Sequence, residues 1–202
     1  MFSTIILGAG KSTRMKANKS KLLFDIAGKP IITHIVEAVR QAKCSEIICV
    51  VNRESKDLVQ LLKEHKVNIT FQKKSNGTAG AAEAGSKIIS SKNRKVLILC
   101  GDAPFITTHS IKSMIKKISN ADACVGTVEL DIPKGYGRII RQGNKISEIV
   151  EERDSTIEQR SIREVNTGVI SIHNNVLSQF ITEVKNNNAK KEFYLTDIVK
   201  IL

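Results

Sequence analysis

The sequence predicts an α/β fold: a Rossmann-like, mostly parallel sheet flanked by helices, with antiparallel strands added in the second half. Three observations carry this expectation. Apolar runs of strand length alternate with helix-period segments through the first 120 residues. The texture then changes to short strands separated by tight turns, Gln142-Gly143-Asn144 among them. No Pro- or Ser-rich linker and no internal repeat divides the 202 residues, so residues 1–202 read as a single domain, long enough to bury its own core.

Taken in order, Phe2–Leu7 is a buried strand that runs into a loop rich in Gly and Lys. Residues 30–43 place Ile31, Ile32, Ile35, Val36, Val39 and Ala42 at helical spacing, with Pro30 at the first turn. Glu46–Val51 is a strand, Glu54–His65 a helix with Leu58, Leu61 and Leu62 inward, and Val67–Phe71 another strand. A helix of small residues, Thr78–Ile89, leads to the strand Lys95–Cys100. Gly101-Asp102-Ala103-Pro104 then turns into a helix over Thr108–Ile118. Ala121–Leu130, Tyr136–Arg141 and Lys145–Glu151 read as strands, followed by a polar helix over Asp154–Ser161. The strand Arg163–His173, a helix over Asn175–Val184 and a helical end to Glu192–Leu202 complete the chain.

Composition narrows the function. At 41% hydrophobic and 26% charged residues the chain is neither disordered nor membrane-embedded, and its longest apolar runs fall far short of a bilayer span. The N-terminus enters a strand directly, without a basic leader or a cleavage site, so a cytoplasmic location is expected. Lys and Arg number 32 against 20 Asp and Glu, a formal +12 that favours anionic partners. The basic pairs Lys73-Lys74, Lys116-Lys117 and Lys190-Lys191 are scattered, and the eight aromatics do not interleave with them. This pattern argues against nucleic acid and for phosphorylated small molecules. Cys44, Cys49, Cys100 and Cys124 show no metal-ligand spacing, and His34, His65, His109 and His173 are equally dispersed. Four buried free thiols are expected rather than a zinc site.

The loop after the first strand, Gly8-Ala9-Gly10-Lys11-Ser12-Thr13-Arg14, brings backbone N–H groups and two cations to where phosphate could sit. It is not a P-loop, because that motif needs a glycine where Ile5 stands. It is not a dinucleotide fingerprint either, since Thr13 takes the place of the third glycine.

Leu7 to Met15 instead resembles the L-x-x-G-x-G-T-R-M signature of the sugar-nucleotide pyrophosphorylases, with Gly8 and Ser12 as departures. Within that family the chain is similar to the uridylyltransferase domain of the bacterial bifunctional N-acetylglucosamine-1-phosphate uridylyltransferase/glucosamine-1-phosphate acetyltransferases. Matching segments keep the family order to the end of the chain. They are Lys21-Leu22-Leu23, Gly28-Lys29-Pro30, Gly77-Thr78-Ala79, Gly101-Asp102-Ala103-Pro104, Gly135-Tyr136-Gly137-Arg138-Ile139, Ile149-Val150-Glu151-Glu152, Asn166-Thr167-Gly168 and Glu192-Phe193-Tyr194-Leu195-Thr196-Asp197. A single such match would be weak; eight in order are strong.

The resemblance implies a nucleotide-diphospho-sugar transferase fold and Mg²⁺-dependent transfer of a uridylyl group from UTP to N-acetylglucosamine 1-phosphate, releasing pyrophosphate. Such chemistry asks for positioning and charge neutralisation, not a covalent nucleophile. Leu7, Gly8, Ala9 and Gly10 would hold the nucleotide, and Arg14 would bind the triphosphate. Lys21 would neutralise the reacting phosphates, and Asp102 would ligate the metal. By the same resemblance Gln72 would read the uracil edge, with Gly77 and Thr78 beside the nucleoside. Gly137, Glu151, Asn166 and Thr196 would line the sugar pocket, while Tyr136 is expected to pack.

The chain also departs from the family. Ser20 replaces a proline before the lysine, Cys100 stands where a tyrosine is common, and a second metal ligand, an asparagine, would fall beyond Leu202. No hexapeptide repeat occurs, so acetyl transfer is not expected. Three alternatives stay open at this point: another sugar phosphate or base, a non-catalytic binder of UTP or a UDP-sugar, and, on charge alone, a nucleic-acid binder.

Overall fold

The computed structural model describes residues 1–10, 19–74, 76–91 and 94–202. The chain opens with β1 (Phe2–Leu7), the two-residue strands β2 (Asp25–Ile26) and β3 (Lys29–Pro30), α1 (Ile31–Gln41) and β4 (Glu46–Val51). Next come α2 (Lys56–Glu64), β5 (Asn68–Phe71), α3 (Thr78–Ser86), β6 (Lys95–Cys100) and α4 (Thr108–Lys117). The later half adds β7 (Ala123–Glu129), β8 (Arg138–Gln142), β9 (Lys145–Val150), α5 (Ile157–Arg160), β10 (Glu164–His173), α6 (Asn174–Phe180) and α7 (Ile198–Ile201).

Eight strands form one sheet in the order β5-β4-β1-β6-β10-β8-β9, with β7 paired to β10 beside that path. The four strands from β5 to β6 are parallel. The pairings of β10 with β6, β7 and β8, and of β8 with β9, are antiparallel. From β1 the chain winds outward through β4 to β5, then crosses back to β6 on the other side of β1. Strand order therefore reverses between β1 and β6, with Leu7 opposite Cys100 in register. In open α/β sheets a ligand crevice forms at such a reversal, beyond the carboxyl ends of the strands.

The parallel strands are apolar on both faces because both faces are covered. Ile6, Leu97 and Leu99 pack with Ile35, Val39, Leu58, Leu62 and Ile111, from α1, α2 and α4. On the opposite face Ile5, Ile48 and Ile98 pack with Ala79, Ala82, Leu177 and Ile198, from α3, α6 and α7. Each fully buried aliphatic side chain contributes about 1.5–3 kcal/mol, so these two layers dominate stability. The small residues of α3 let it lie close: a Cβ on Gly85 would come within 2.7 Å of Ile5 Cγ2. That closeness seats the start of α3 beside the crevice. Among the described residues no helix is long and apolar enough to cross a membrane.

Several boundaries differ from the sequence expectation. The polar helix expected over 154–161 contracts to Ile157–Arg160, because Thr156 forms a capping box with Gln159. The helix expected over 78–89 ends at Ser86, and that over 175–184 is α6 followed by a 3-10 turn at Ile181–Glu183. β2 and β3 form a small hairpin around Ala27 and Gly28, both at positive φ; two-residue strands carry no periodicity to read. All four cysteines are unbridged, but of them Cys49 alone is buried; Cys44, Cys100 and Cys124 are half-buried. Cys100 ends its strand and Cys124 lies on β7, which pairs on one side only, so neither is fully covered.

Candidate active site

The strand reversal is built by two glycines and one leucine. Gly8 N donates to Val50 O at 2.8 Å, and Gly101 N donates to Leu7 O at 3.1 Å, continuing the β1 and β6 ladders into the crevice. A side chain at either position would press on its neighbours. A Cβ on Gly8 would meet Leu22 Cδ1, Cys49 Sγ and Val50 O at 3.1 Å, and one on Gly101 would lie 2.9 Å from Leu22 Cδ1. Leu22, 1% exposed, fills the space both glycines leave. It belongs to a 3-10 turn, Lys21–Leu23, whose first amides are taken up by Ser20: Leu22 N by the hydroxyl at 3.4 Å and Leu23 N by the carbonyl at 3.0 Å. Ser20 therefore supplies a capped start to the turn.

With Leu22 anchored, the adjacent Lys21 ammonium reaches across the crevice and ion-pairs with Asp102, 81 residues away. The two side chains are 35% and 44% exposed, so water screens the pair and its own contribution to stability is small. The pair presents a cation and a carboxylate to the same opening. Of the expected nucleotide loop, Gly8 and Ala9 are buried, Leu7 is half-buried and Gly10 is exposed. Arg14 lies outside the described residues.

The residues expected to meet the base gather at the end of β5. Gln72 N donates to Val51 O, and its side-chain Nε2 donates to Asn76 Oδ1 at 3.1 Å and to Gly77 O at 2.9 Å. Gly77 has φ +119°, and a Cβ there would fall 2.3 Å from Phe193 O, so no other residue fits. Thr78, exposed at the start of α3, accepts from Leu195 N through its hydroxyl at 2.9 Å.

On the other side of Asp102 lies a cleft of about 1080 Å³ lined by Cys100, Asp102, Gly137, Glu151, Asn166 and the α4 face from His109 to Lys117, among others. Gly137 is held by Asn166 N, which donates to its carbonyl at 2.9 Å. Gly168 N donates to Asn166 Oδ1 at 3.0 Å, at an irregularity in the β10–β7 register between Asn166 and Ile170. Glu151 is half-buried and accepts from Thr196 Oγ1 at 3.3 Å. Burial raises its carboxyl above the ordinary range, opposed by the Thr196 hydrogen bond and the Lys190 charge. Thr196 does not line the cleft but stands buried behind Glu151. Burial, then the Asp102 carboxylate, pushes the Cys100 thiol up to about 11, with Lys21 opposing, so the cleft wall there is neutral at physiological pH.

A profile of the MobA-like NTP transferase domain matches residues 4–138, spanning β1, the Lys21 turn, Asp102 and the Gly137 loop. The chain belongs to that family. This transferase is similar to the bifunctional protein GlmU of Pseudoalteromonas atlantica, 38% identical over 200 residues, covering 99% of this chain and 44% of that protein. It is similar also to the bifunctional protein GlmU of Staphylococcus epidermidis, 36% identical over 201 residues, covering 98% and 44% respectively. The transferase thus spans less than half the length of these curated relatives. Among solved structures, a UDP-glucose pyrophosphorylase complexed with UDP-glucose superposes with a TM-score of 0.78 at 19% identity, covering all of this chain and 86% of that one. That likeness establishes the nucleotidyltransferase fold expected from the sequence.

Within the transferase, the fold gathers Lys21, Asp102, Gly137, Glu151 and Asn166 around one opening, with Gln72 and Gly77 grouped at the end of β5. Tyr136, expected to pack, is 48% exposed on the cleft rim instead. Sequence reading missed Leu22 as an anchor and Phe193 as the partner of Gly77, since neither signal is local. It also missed Arg138, 1% exposed, which pairs with Glu152 at 2.7 Å and donates to Tyr136 O beside Gly137. A basic residue opening a strand gives no hint of that burial.

Proposed function

We propose that residues 1–202 form one nucleotidyltransferase domain that transfers a uridylyl group from UTP to N-acetylglucosamine 1-phosphate. The observation that carries this is the Lys21–Asp102 pair, set at the strand reversal between the base side and the acceptor cleft. In this reading Leu7 to Gly10 hold the nucleotide, Arg14 binds the triphosphate, and Gln72 addresses the base with Gly77 and Thr78 beside the nucleoside. The Lys21 ammonium neutralises the α-phosphate oxygens as the sugar phosphate attacks and pyrophosphate leaves. Gly137, Glu151 and Asn166 orient the sugar through backbone and hydrogen-bonding groups, with Thr196 supporting Glu151.

Asp102 fits a hard divalent cation as an accessible strand-end carboxylate. Among the described residues no group of three or more His, Cys, Asp or Glu side chains encloses a metal. That donor set suits Mg²⁺ held by one carboxylate, phosphate oxygens and water. When bound, Mg²⁺ would supply charge neutralisation and orientation of the phosphates.

The test is pyrophosphate release by this chain given UTP, Mg²⁺ and N-acetylglucosamine 1-phosphate. Lys21→Ala and Asp102→Ala are each expected to lower turnover by about 10²–10³ while leaving the melting temperature nearly unchanged. Turnover within a fewfold of wild type in both variants would sink the assignment. UTP binding without pyrophosphate release would favour a non-catalytic nucleotide binder. A larger acceptor in the same chemistry is supported by the cleft, which continues past Glu151 and Asn166 along two turns of α4 to Lys117. Comparing sugar phosphates in the same assay decides between them.

A further inference from the structure

The base side and the sugar side are joined by one short segment near the end of the chain. Phe193 N donates to Asn76 O at 2.7 Å, and Ala79 N donates to Phe193 O at 2.9 Å, so the two backbones grip each other on either side of Gly77. Two residues on, Leu195 N reaches Thr78 Oγ1 at 2.9 Å. Thr196 follows immediately and donates to Glu151 Oε1 at 3.3 Å. At the other end of this path, Gln72 Nε2 donates to both Asn76 and Gly77. A continuous chain of polar contacts therefore runs from Gln72, through 76–78 and 193–196, to Glu151.

We infer that Thr78 and Thr196 are positioning residues, coupling the two half-sites through the Phe193–Thr196 strut so that bound nucleotide tightens the hold on the sugar phosphate. The inference rests on the assignment of Gln72 to the base and Glu151 to the sugar. Its physical basis is the absence of slack. An imide edge asks one amide for a donor and an acceptor, yet both Nε2 hydrogens of Gln72 are committed to the 76–77 turn. A base that takes one of them must release part of that turn. Gly77 meets the Phe193 backbone with no side chain between, so a shift of a few tenths of an ångström has no rotamer to absorb it. Tyr194, Leu195 and Thr196 are buried, which carries the displacement inward to Glu151 and not out to solvent. Coupling of this kind is reciprocal: the sugar phosphate must tighten the nucleotide by the same factor.

Calorimetry on the whole 202-residue chain without metal, so that no turnover occurs, tests this directly. The readout is the affinity for N-acetylglucosamine 1-phosphate with and without saturating UTP. In the wild type UTP is expected to tighten the sugar phosphate about tenfold. In Thr78→Val and in Thr196→Val that factor is expected to fall toward one, and Thr78→Ser should restore it because the hydroxyl returns. A melting curve for each variant establishes that it is folded.

A wild-type factor of one overturns the inference. So does a full factor retained in both valine variants, which would make these hydroxyls structural only. If UTP and the sugar phosphate bind with coupling but the separate assay with Mg²⁺ releases no pyrophosphate, the catalytic assignment fails while the strut stands. If neither ligand binds on its own, with Mg²⁺ present or absent, both readings fall.

Discussion

Glu151 shows how one half-buried carboxyl ties pH to stability and, in the proposed reading, to the hold on the sugar. Burial raises it above its ordinary value, so its ionised form is less stable in the fold than in the unfolded chain. The resulting penalty is absent below the ordinary carboxylate range, grows as pH rises through the raised value, and is complete at neutrality. Glu151→Gln keeps an acceptor for Thr196 Oγ1 but carries no charge. It is therefore expected to melt above the wild type at neutral pH, with the difference vanishing in acid, while its KM for the sugar phosphate rises. Melting curves across pH check this; a variant that melts lower at neutrality would contradict it. Cys100 next to it plays no such part, because a thiol pushed up to about 11 stays neutral throughout that range.

At the scale of an element, the 3-10 turn Lys21–Leu23 depends on a single side chain. Leu22 occupies the space that Gly8 and Gly101 leave, and it sits in the same apolar layer as Ile6, Ile32 and Leu99. Leu22→Ala is expected to cost about 3 kcal/mol, lowering the melting temperature by roughly 6–12 °C. Turnover should fall as well, because Lys21 loses its seat opposite Asp102, whereas the KM for the sugar phosphate should stay close to wild type. Thermal melts paired with pyrophosphate-release kinetics separate the two effects. The same turn shows what could be read in advance. β1, β4 and β6 were legible because strands covered on both faces must be apolar throughout. The Lys21-Leu22-Leu23 match drew attention to this turn, yet nothing in the spacing says that Lys21 meets Asp102. Long-range contacts are set by sheet order, and sheet order leaves no local periodicity. Thr196 illustrates the same gap: its motif was recognised, but its place behind Glu151 comes from the packing of 193–198 against α3 and β9. Short helices such as α5 and α7 were legible in type but not in extent, since a single turn carries too few apolar positions to fix its ends.

For the molecule as a whole, the formal charge of +12 acts on every anionic substrate at once. The field attracts polyphosphates and is screened within a Debye length that shrinks from about 10 Å at 0.1 M salt to about 3 Å at 1 M. Raising salt from about 0.05 M to about 0.5 M is thus expected to increase the KM for UTP several-fold while changing kcat little. Steady-state kinetics at matched Mg²⁺ measures it; a salt-independent KM would mean the basic residues face away from the substrate path.

The contact between Thr78 and Leu195, 117 residues apart, also bears on how the chain is made. A ribosome releases β1 through β5 and the start of α3 long before it reaches Leu195. Until then the carbonyl of Asn76 and the hydroxyl of Thr78 lack their partners from the tail, and the turn at Gly77 has nothing to rest against. The turn at 76–78 is synthesised well before the segment that braces it, so a nascent chain interrupted before Phe193 would emerge with its sheet begun and that turn unbraced.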